Sequence, residues 1–363
     1  MNYEGRLAAL RKAMQDSGLP GLLVSRPENR RYLSGFKADD GALTESSGHL
    51  LITPDKALLL TDSRYSEEAA EEAPGFEVRV YKKGLDKLLA ELAKELGLPT
   101  LGFEEDYLIF NQVKTLAKEL EEGVELKATT DLVANLRIIK EPAEVEALEA
   151  SLALIEEVLD GLIGDLRPGM TEDEGAWRII SGLRERGAGI AFEPIVASGP
   201  NGAKPHAVPG PRKIQEGETV VIDVGARLAG YRSDITRTVW LGPFSDKFKE
   251  VYSTVREAQM AAVEGIRPGM STKEADSLAR KVIDKAGYGE FFGHALGHGV
   301  GLATHEPPGL SPLKAVELKP GMVHTIEPGI YLPGWGGVRL EIMARVTESG
   351  CRVLGGLDRF YDF

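Results

Sequence analysis

Ile214-Gln-Glu-Gly217-Glu-Thr-Val-Val-Ile222-Asp223-Val-Gly225 returns further along the chain as Leu318-Lys-Pro-Gly321-Met-Val-His-Thr-Ile326-Glu327-Pro-Gly329. Each copy runs from a glycine into a β-type apolar stretch that ends on a carboxylate. The match extends outward in both directions. Upstream, His206-Ala-Val-Pro-Gly210 is echoed by His305-Glu-Pro-Pro-Gly309, and Arg167-Pro-Gly-Met170 by Arg267-Pro-Gly-Met270. Each tetrapeptide leads into a capping box, Thr171 with Glu174 and Ser271 with Glu274, which opens a helix. Downstream, Arg232-x-Asp234 is echoed by Arg339-x-Glu341. One short Gly/Pro match would be chance. Four blocks in the same order predict an α+β domain of two similar halves, helices packed on strands about a pseudo-two-fold axis.

The repeat occupies residues 135–363. Residues 1–134 read differently. Strand-like runs at 21–25, 49–53, 57–61, 76–81, 100–103 and 124–128 alternate with helical patterns at 84–96 and 107–120, which is an α/β layer structure. An amphipathic N-terminal helix would bury Tyr3, Leu7, Leu10 and Met14. His49, beside a strand, reads as structural. The boundary falls near residues 132–140. There Pro142 occupies the first turn of a long helix whose stripe is Leu148, Leu152, Ile155, Leu159 and Leu162.

Composition excludes several classes. The 363 residues are 42% apolar and 27% charged, enough to bury a core. A formal net charge of -13 argues against nucleic acid, whose phosphates need clustered Lys and Arg. The lone cysteine forms no intrachain disulfide, which suits a reducing compartment. Neither a signal peptide nor a membrane span is legible. A cytoplasmic protein that avoids membranes is expected.

Asp223 and Glu327 each sit in an apolar strand, where a carboxylate is costly unless its charge is compensated. With Asp234 and Glu341, a pseudo-dyad would bring four carboxylates to one point, and four negative charges cannot share a dry pocket without cations. Histidines gather in the same region: His206, and the run His294, His298, His305, spaced by glycines that allow close approach. His324 falls at odd spacing from Glu327 and points away from it. Four carboxylates and one imidazole form a hard donor set, suited to Mn(II), Co(II) or Zn(II). That number of ligands suits two ions about 4 Å apart.

At these residues the chain resembles the Xaa-Pro aminopeptidase and prolidase branch of the pita-bread metallopeptidases. The motifs are Asp223-Val-Gly-Ala, Tyr231-Arg-Ser-Asp234-Ile-Thr-Arg-Thr, Gly297-His298-Gly-Val-Gly-Leu, Thr325-Ile-Glu327-Pro-Gly-Ile-Tyr and Gly337-Val-Arg-Leu-Glu341. Pro27-Glu-Asn-Arg-Arg-Tyr-Leu-Ser-Gly-Phe36 is similar to the creatinase-type N-terminal domain of that branch. The resemblance implies a dinuclear metal site, manganese first, with Asp234 and Glu341 bridging. Asp223 would complete one ion's shell, and His298 with Glu327 the other's. A water or hydroxide shared by the ions would attack the peptide, with Glu327 as general base. His206, His294 and His305 would line the substrate cleft, and Arg339 would support the carboxylates, or simply pair with Asp234 or Glu341. A homodimer acting on peptides with proline in second position is also implied.

Two departures stand out. The loop Pro307–Lys314 has no arginine to receive a dipeptide's free carboxylate, which favours an aminopeptidase on longer peptides, although Lys314 is a possible substitute. Ile342-Met343-Ala344 is more apolar than the acidic pair usual after the last ligand. The alternatives are a prolidase restricted to Xaa-Pro dipeptides, a non-catalytic binding module of the same fold, and metal-free creatinase-like hydrolysis. The intact ligand set speaks against the last two.

Overall fold

The computed structural model describes residues 1–42, 44–120 and 123–363 and divides into two compact units, Met1–Arg137 and Ile138–Phe363. In the first unit, strands β1 (Leu22–Val24), β2 (His49–Ile52), β3 (Ala57–Thr61), β4 (Glu77–Val80), β5 (Thr100–Glu104) and β6 (Glu125–Thr129) form one sheet in the order β4-β3-β2-β1-β5-β6. The central β1-β2 and β2-β3 pairs are antiparallel and the outer pairs parallel. These are the six strand-like runs of the sequence. Its helices are α1 (Tyr3–Asp16), α2 (Pro27–Ser34), α3 (Ser66–Glu72), α4 (Leu85–Glu95), α5 (Phe110–Glu119) and α6 (Ala134–Arg137). Leu89, Leu92 and Leu116 from α4 and α5 pack on Leu23, Leu51, Leu101 and Phe103 of the sheet, and burying each such side chain stabilises by roughly 1.5–3 kcal/mol.

The buried face of α1 differs from the expected one. Arg6, Leu10 and Met14 are buried, whereas Tyr3 is 39% exposed. The Arg6 guanidinium lies over the Tyr32 ring at 4.0 Å and donates to Tyr32 O at 3.0 Å, and this anchor rotates the helix away from Tyr3. His49 is structural: it is buried, with Nδ1 2.9 Å from Ser25 Oγ.

In the second unit, Pro142 opens α7 (Pro142–Asp165), and the stripe Leu148, Leu152, Ile155, Leu159 and Leu162 is buried. Helices α8 (Glu172–Glu185), α9 (Asp246–Gly265) and α10 (Thr272–Lys285) follow, and α7 packs on α8 as α9 does on α10. The repeat is visible bond by bond. Gly169 N donates to Ile214 O and Gly269 N to Leu318 O, both at 2.8 Å; Ile214 N returns to Met170 O and Leu318 N to Met270 O, again at 2.8 Å. Both capping boxes form. Gly169 and Gly269 have φ of 93° and 85°, a conformation glycine adopts without steric cost.

The strands of this unit are β7 (Gly189–Ile190), β8 (Ile195–Ser198), β9 (Thr219–Val224), β10 (Ala226–Leu228), β11 (Tyr231–Arg232), β12 (Ile235–Trp240), β13 (Gly297–Gly299), β14 (Glu306–Leu310), β15 (Val323–Ile326), β16 (Gly329–Leu332), β17 (Gly336–Arg339), β18 (Ile342–Val346) and β19 (Cys351–Val353). One half forms the sheet β12-β9-β8 and the other β14-β13-β15-β18-β19. The antiparallel β9-β12 and β15-β18 pairs are the repeat equivalents. The halves meet where β12 touches the chain just before β18: Thr238 Oγ1 donates to Arg339 O at 2.8 Å, and Glu341 N donates to Thr236 O at 3.1 Å. That seam places Asp234, immediately before β12, beside Glu341, immediately before β18. Among the described residues no helix is long and apolar enough to cross a membrane.

Candidate metal centre and cleft

The β9-β12 and β15-β18 pairs aim their carboxylates into one cleft of about 940 Å³. Asp223, Asp234, His298, Glu327 and Glu341 all line it, together with His206, His294, His305 and Arg339. Every site residue expected from the sequence is therefore brought together. His324 is not among them: it is buried, with Nδ1 3.2 Å from Thr325 O. Lys314 does not line the cleft either; its carbonyl accepts from Thr272 Oγ1 at 2.8 Å.

Ligand atoms of Asp234, His298 and Glu341 lie within 4.8 Å of one another. His298 Nε2 is 3.6 Å from Asp234 Oδ2 and 3.4 Å from Glu327 Oε1. Its other nitrogen, Nδ1, is 3.0 Å from Gly299 O. A carbonyl only accepts, so Nδ1 carries the proton and Nε2 presents a lone pair toward the carboxylates. Burial lowers the His298 pKa and keeps the ring neutral.

The acids show matching stress. Burial, then the charges of Glu341, Asp223 and Glu327, raises the Asp234 pKa well above the ordinary carboxylate value. Burial, then Glu327 and Asp223, does the same to Glu341. Glu327 is pushed up to about 7, chiefly by burial. Asp223 Oδ1 is buried without a hydrogen-bond partner. Lone pairs converging from four carboxylates and one neutral imidazole, one oxygen orphaned among them, fit divalent cations.

Arg339 departs from both simple pairings expected of it. It bonds neither Asp234 nor Glu341; Nη2 donates to Asp223 Oδ2 at 2.6 Å. The cause is the seam: Arg339 N bonds Thr238 Oγ1 and its Nε reaches Thr236 Oγ1 at 3.2 Å, so the side chain runs across β12 toward β9. Nη1 donates to the Tyr331 hydroxyl at 2.9 Å. That hydroxyl donates in turn to His294 Nε2 at 2.8 Å, since His294 Nδ1 is 2.8 Å from the carbonyl of Ala295. Tyr331 is a site-ordering residue to which the sequence assigned no role. The available signal was its place in the Thr325-Ile-Glu327-Pro-Gly-Ile-Tyr331 motif.

His294 and His305 are neutral hydrogen-bonding groups of the cleft. Burial lowers His294 and His305 to about 4, and the His305 ring meets His298 edge-on, centroids 4.1 Å apart. The outer wall is apolar. It is built by Ala176, Trp177 and Ile180 of α8, by Phe192, and by Val208 and Pro209; Trp177 is 65% exposed and Val208 85%.

Comparison with known proteins gives a consistent picture. The model of metallopeptidase family M24 matches residues 146–348, and that of the creatinase/prolidase N-terminal domain matches residues 6–139. A Xaa-Pro dipeptidase of Pyrococcus furiosus is 38% identical over 355 residues, covering 98% of this chain and 98% of the relative. Among solved structures, a Xaa-Pro dipeptidase from Bacillus anthracis superposes with a TM-score of 0.93 at 37% identity, covering 100% of this chain and 99% of the other. An X-Pro aminopeptidase from Thermotoga maritima superposes with 0.86 at 36% identity, covering 96% and 98%.

Proposed function

The chain belongs to metallopeptidase family M24, with a creatinase/prolidase N-terminal domain ahead of the catalytic one, and on that premise we propose that it is a dinuclear-metal exopeptidase hydrolysing the bond between a peptide's first residue and a proline in second position. The observation that carries this reading is the convergence of Asp223, Asp234, His298, Glu327 and Glu341 on one cleft, with Asp223 Oδ1 and His298 Nε2 left to face it. Asp223, Asp234, His298, Glu327 and Glu341 would hold the cations. The hard donor set favours Mn(II), with Co(II) and Zn(II) as substitutes. When bound, such a pair lowers the pKa of water and polarises the scissile carbonyl.

The chain's own groups do the remaining work. Glu327, its Oε1 accepting from Thr325 Oγ1 at 2.9 Å, takes the proton of the attacking water and returns it to the proline nitrogen that leaves. His206 and His305 line the cleft as hydrogen-bonding groups for the carbonyl oxygen as charge develops on it. Tyr331 and Arg339 lock His294 and Asp223 in place.

Substrate length follows from charge. Arg339 is the one Arg or Lys among the described cleft residues, and it is committed to Asp223 and Tyr331. A dipeptide's free carboxylate therefore meets no uncommitted Lys or Arg side chain in the cleft, whereas a longer peptide needs none, and we assign longer peptides as the substrate class. The second reading, a strict dipeptidase, is favoured by the names of several relatives. The test is to strip the protein with chelator, restore Mn(II), Co(II) or Zn(II), and compare Gly-Pro with Gly-Pro-Ala. Activity should return with metal and be higher on the tripeptide. Cleavage of the dipeptide alone would give the dipeptidase reading, and failure to take up metal would give a binding module.

A further inference from the structure

Outside the cleft lies a buried ion pair that the chemistry described so far does not use. Lys140 Nζ is 2.9 Å from Glu306 Oε2, and the two side chains are 1% and 4% exposed. Charges this deep need both their partner and further hydrogen bonds to offset desolvation. The backbone places Lys140: its N donates to Gly321 O at 2.9 Å, and Ile139 pairs with Met322, so residues 139–140 lie along the chain that enters β15.

Glu306 follows His305 directly and opens β14. Its second oxygen, Oε1, accepts from Ala303 N at 2.8 Å. Gly301 leaves room for the carboxylate, since a Cβ there would come within 2.6 Å of Oε2. The carboxylate is thus gripped between the Lys140 ammonium and an amide of the turn joining β13 to β14. That turn is tied from its other side by Arg232, whose N donates to Gly301 O at 2.8 Å and Nε to Leu302 O at 3.2 Å. At one end of the turn stands His298; at the other, Thr304 and His305 enter the cleft.

We propose that Lys140 is a positioning residue for catalysis: through Glu306 it fixes the 301–306 turn and so sets the place of His305 against the substrate. The inference rests on the catalytic reading given above. Without the ammonium, the Glu306 carboxylate loses a charge partner in a dry site, which favours protonating it or turning it away. Either change releases Ala303 N and lets His305 drift. A shift of about 1 Å in a group that orients a substrate costs on the order of 10²-fold in rate.

The experiment uses the full-length, metal-loaded protein with Gly-Pro-Ala as substrate. In Lys140→Met, kcat should fall on the order of 10²-fold with KM and bound metal little changed, and Lys140→Arg should recover most of the loss. Deuterium exchange over residues 300–306 should rise in Lys140→Met. In a His305→Ala background, Lys140→Met should cost nothing further, because the two act as one unit. Should Lys140→Met fail to fold, the Lys140→Met/Glu306→Met pair, an apolar replacement that buried ion pairs generally tolerate, makes the same comparison. The inference is overturned if the losses in kcat multiply, if they follow loss of metal, or if the variant keeps wild-type kcat. Should the wild-type enzyme leave the peptide intact, the catalytic reading fails and this inference with it.

Discussion

Arg339 and Asp223 divide one carboxylate of the cleft lining between two states: Oδ2 takes the guanidinium at 2.6 Å, while Oδ1 stays buried and unbonded. The arginine fixes the carboxylate's plane, and with it the direction of the free oxygen. It holds Tyr331 at the same time, and a lysine ammonium cannot span both partners with that planar fork. Arg339→Lys is therefore expected to weaken metal affinity or activity by about 10–100-fold, although the charge is kept. Competition between protein and chelator for Mn(II) measures this. Wild-type affinity and turnover in the variant would show that charge alone, and not the fork, is what Asp223 needs.

Why Arg339 was legible as a supporting residue but not its partner has a physical cause. Motif spacing fixes which residues share a half of the repeat, and so it named Asp234 and Glu341 as neighbours. It is silent on the seam where β12 meets the chain before β18, and that seam redirects the side chain to β9. The repeat itself was legible because backbone demands reach the sequence directly: Gly169 and Gly269 stand where φ is positive, and each capping box has its own residue pair. Pairings across long loops leave no such trace. Lys140 with Glu306, and Tyr331 with His294, join positions that no periodicity relates. On α1 Leu10 and Met14 of the apolar stripe are buried as expected, but Arg6, stacked on Tyr32, is buried beside them while Tyr3 is exposed.

If the cleft holds metal as proposed, protons and metal compete there, and the direction is fixed by the raised carboxylates. Glu327 titrates at about 7, and Asp234 and Glu341 are also raised. In the metal-free fold these groups hold protons that the unfolded chain has already released. Their contribution to stability is therefore complete below the ordinary carboxylate range and is lost as pH rises through about 7 for Glu327. Metal must displace those protons, so affinity should rise with pH, about tenfold per unit for each proton released. The melting-temperature gain on adding Mn(II) is expected to be larger at pH 8 than at pH 6. Titration calorimetry in two buffers of different ionisation enthalpy counts the protons, and a pH-independent affinity would refute the assignment.

His49 makes the opposite prediction for the first unit. It is completely buried, and burial, then the charge of Arg30, lowers its pKa from 6.5 to about 3 against the smaller opposing pull of Asp40. The folded chain keeps this ring neutral where the unfolded chain protonates. The stability it contributes is present above 6.5 and is lost as pH falls from there toward about 3. Between pH 6.5 and 5 that loss is roughly 2 kcal/mol. His49→Gln should flatten the acid limb of the urea midpoint by a comparable amount, read on chelator-treated protein so that the metal site does not intrude. An acid limb as steep as wild type would mean that His49 is not the group responsible.

The strand that carries His298 is flanked by glycines because another backbone runs against it. A Cβ on Gly297 would fall far inside contact with the carbonyl of Thr325, and carbonyl backbone cannot swing aside as a flexible side chain does. Thr325 is also the hub of the local hydrogen bonds: its Oγ1 accepts from His298 N at 3.0 Å and donates to Glu327 Oε1 at 2.9 Å. Forcing β13 away from β15 therefore moves two of the proposed ligands together. Gly297→Ala is expected to cost about 1–3 kcal/mol through overpacking and, beyond that, to weaken metal binding. Gly293→Ala is the control, since a Cβ there meets nothing within 4 Å, and it should leave both quantities near wild type. Urea unfolding of the metal-free variants reports the first effect and chelator competition the second. If Gly297→Ala loses stability but keeps wild-type affinity, the strands absorb the methyl without shifting His298, and the link from β13 packing to ligand placement is wrong.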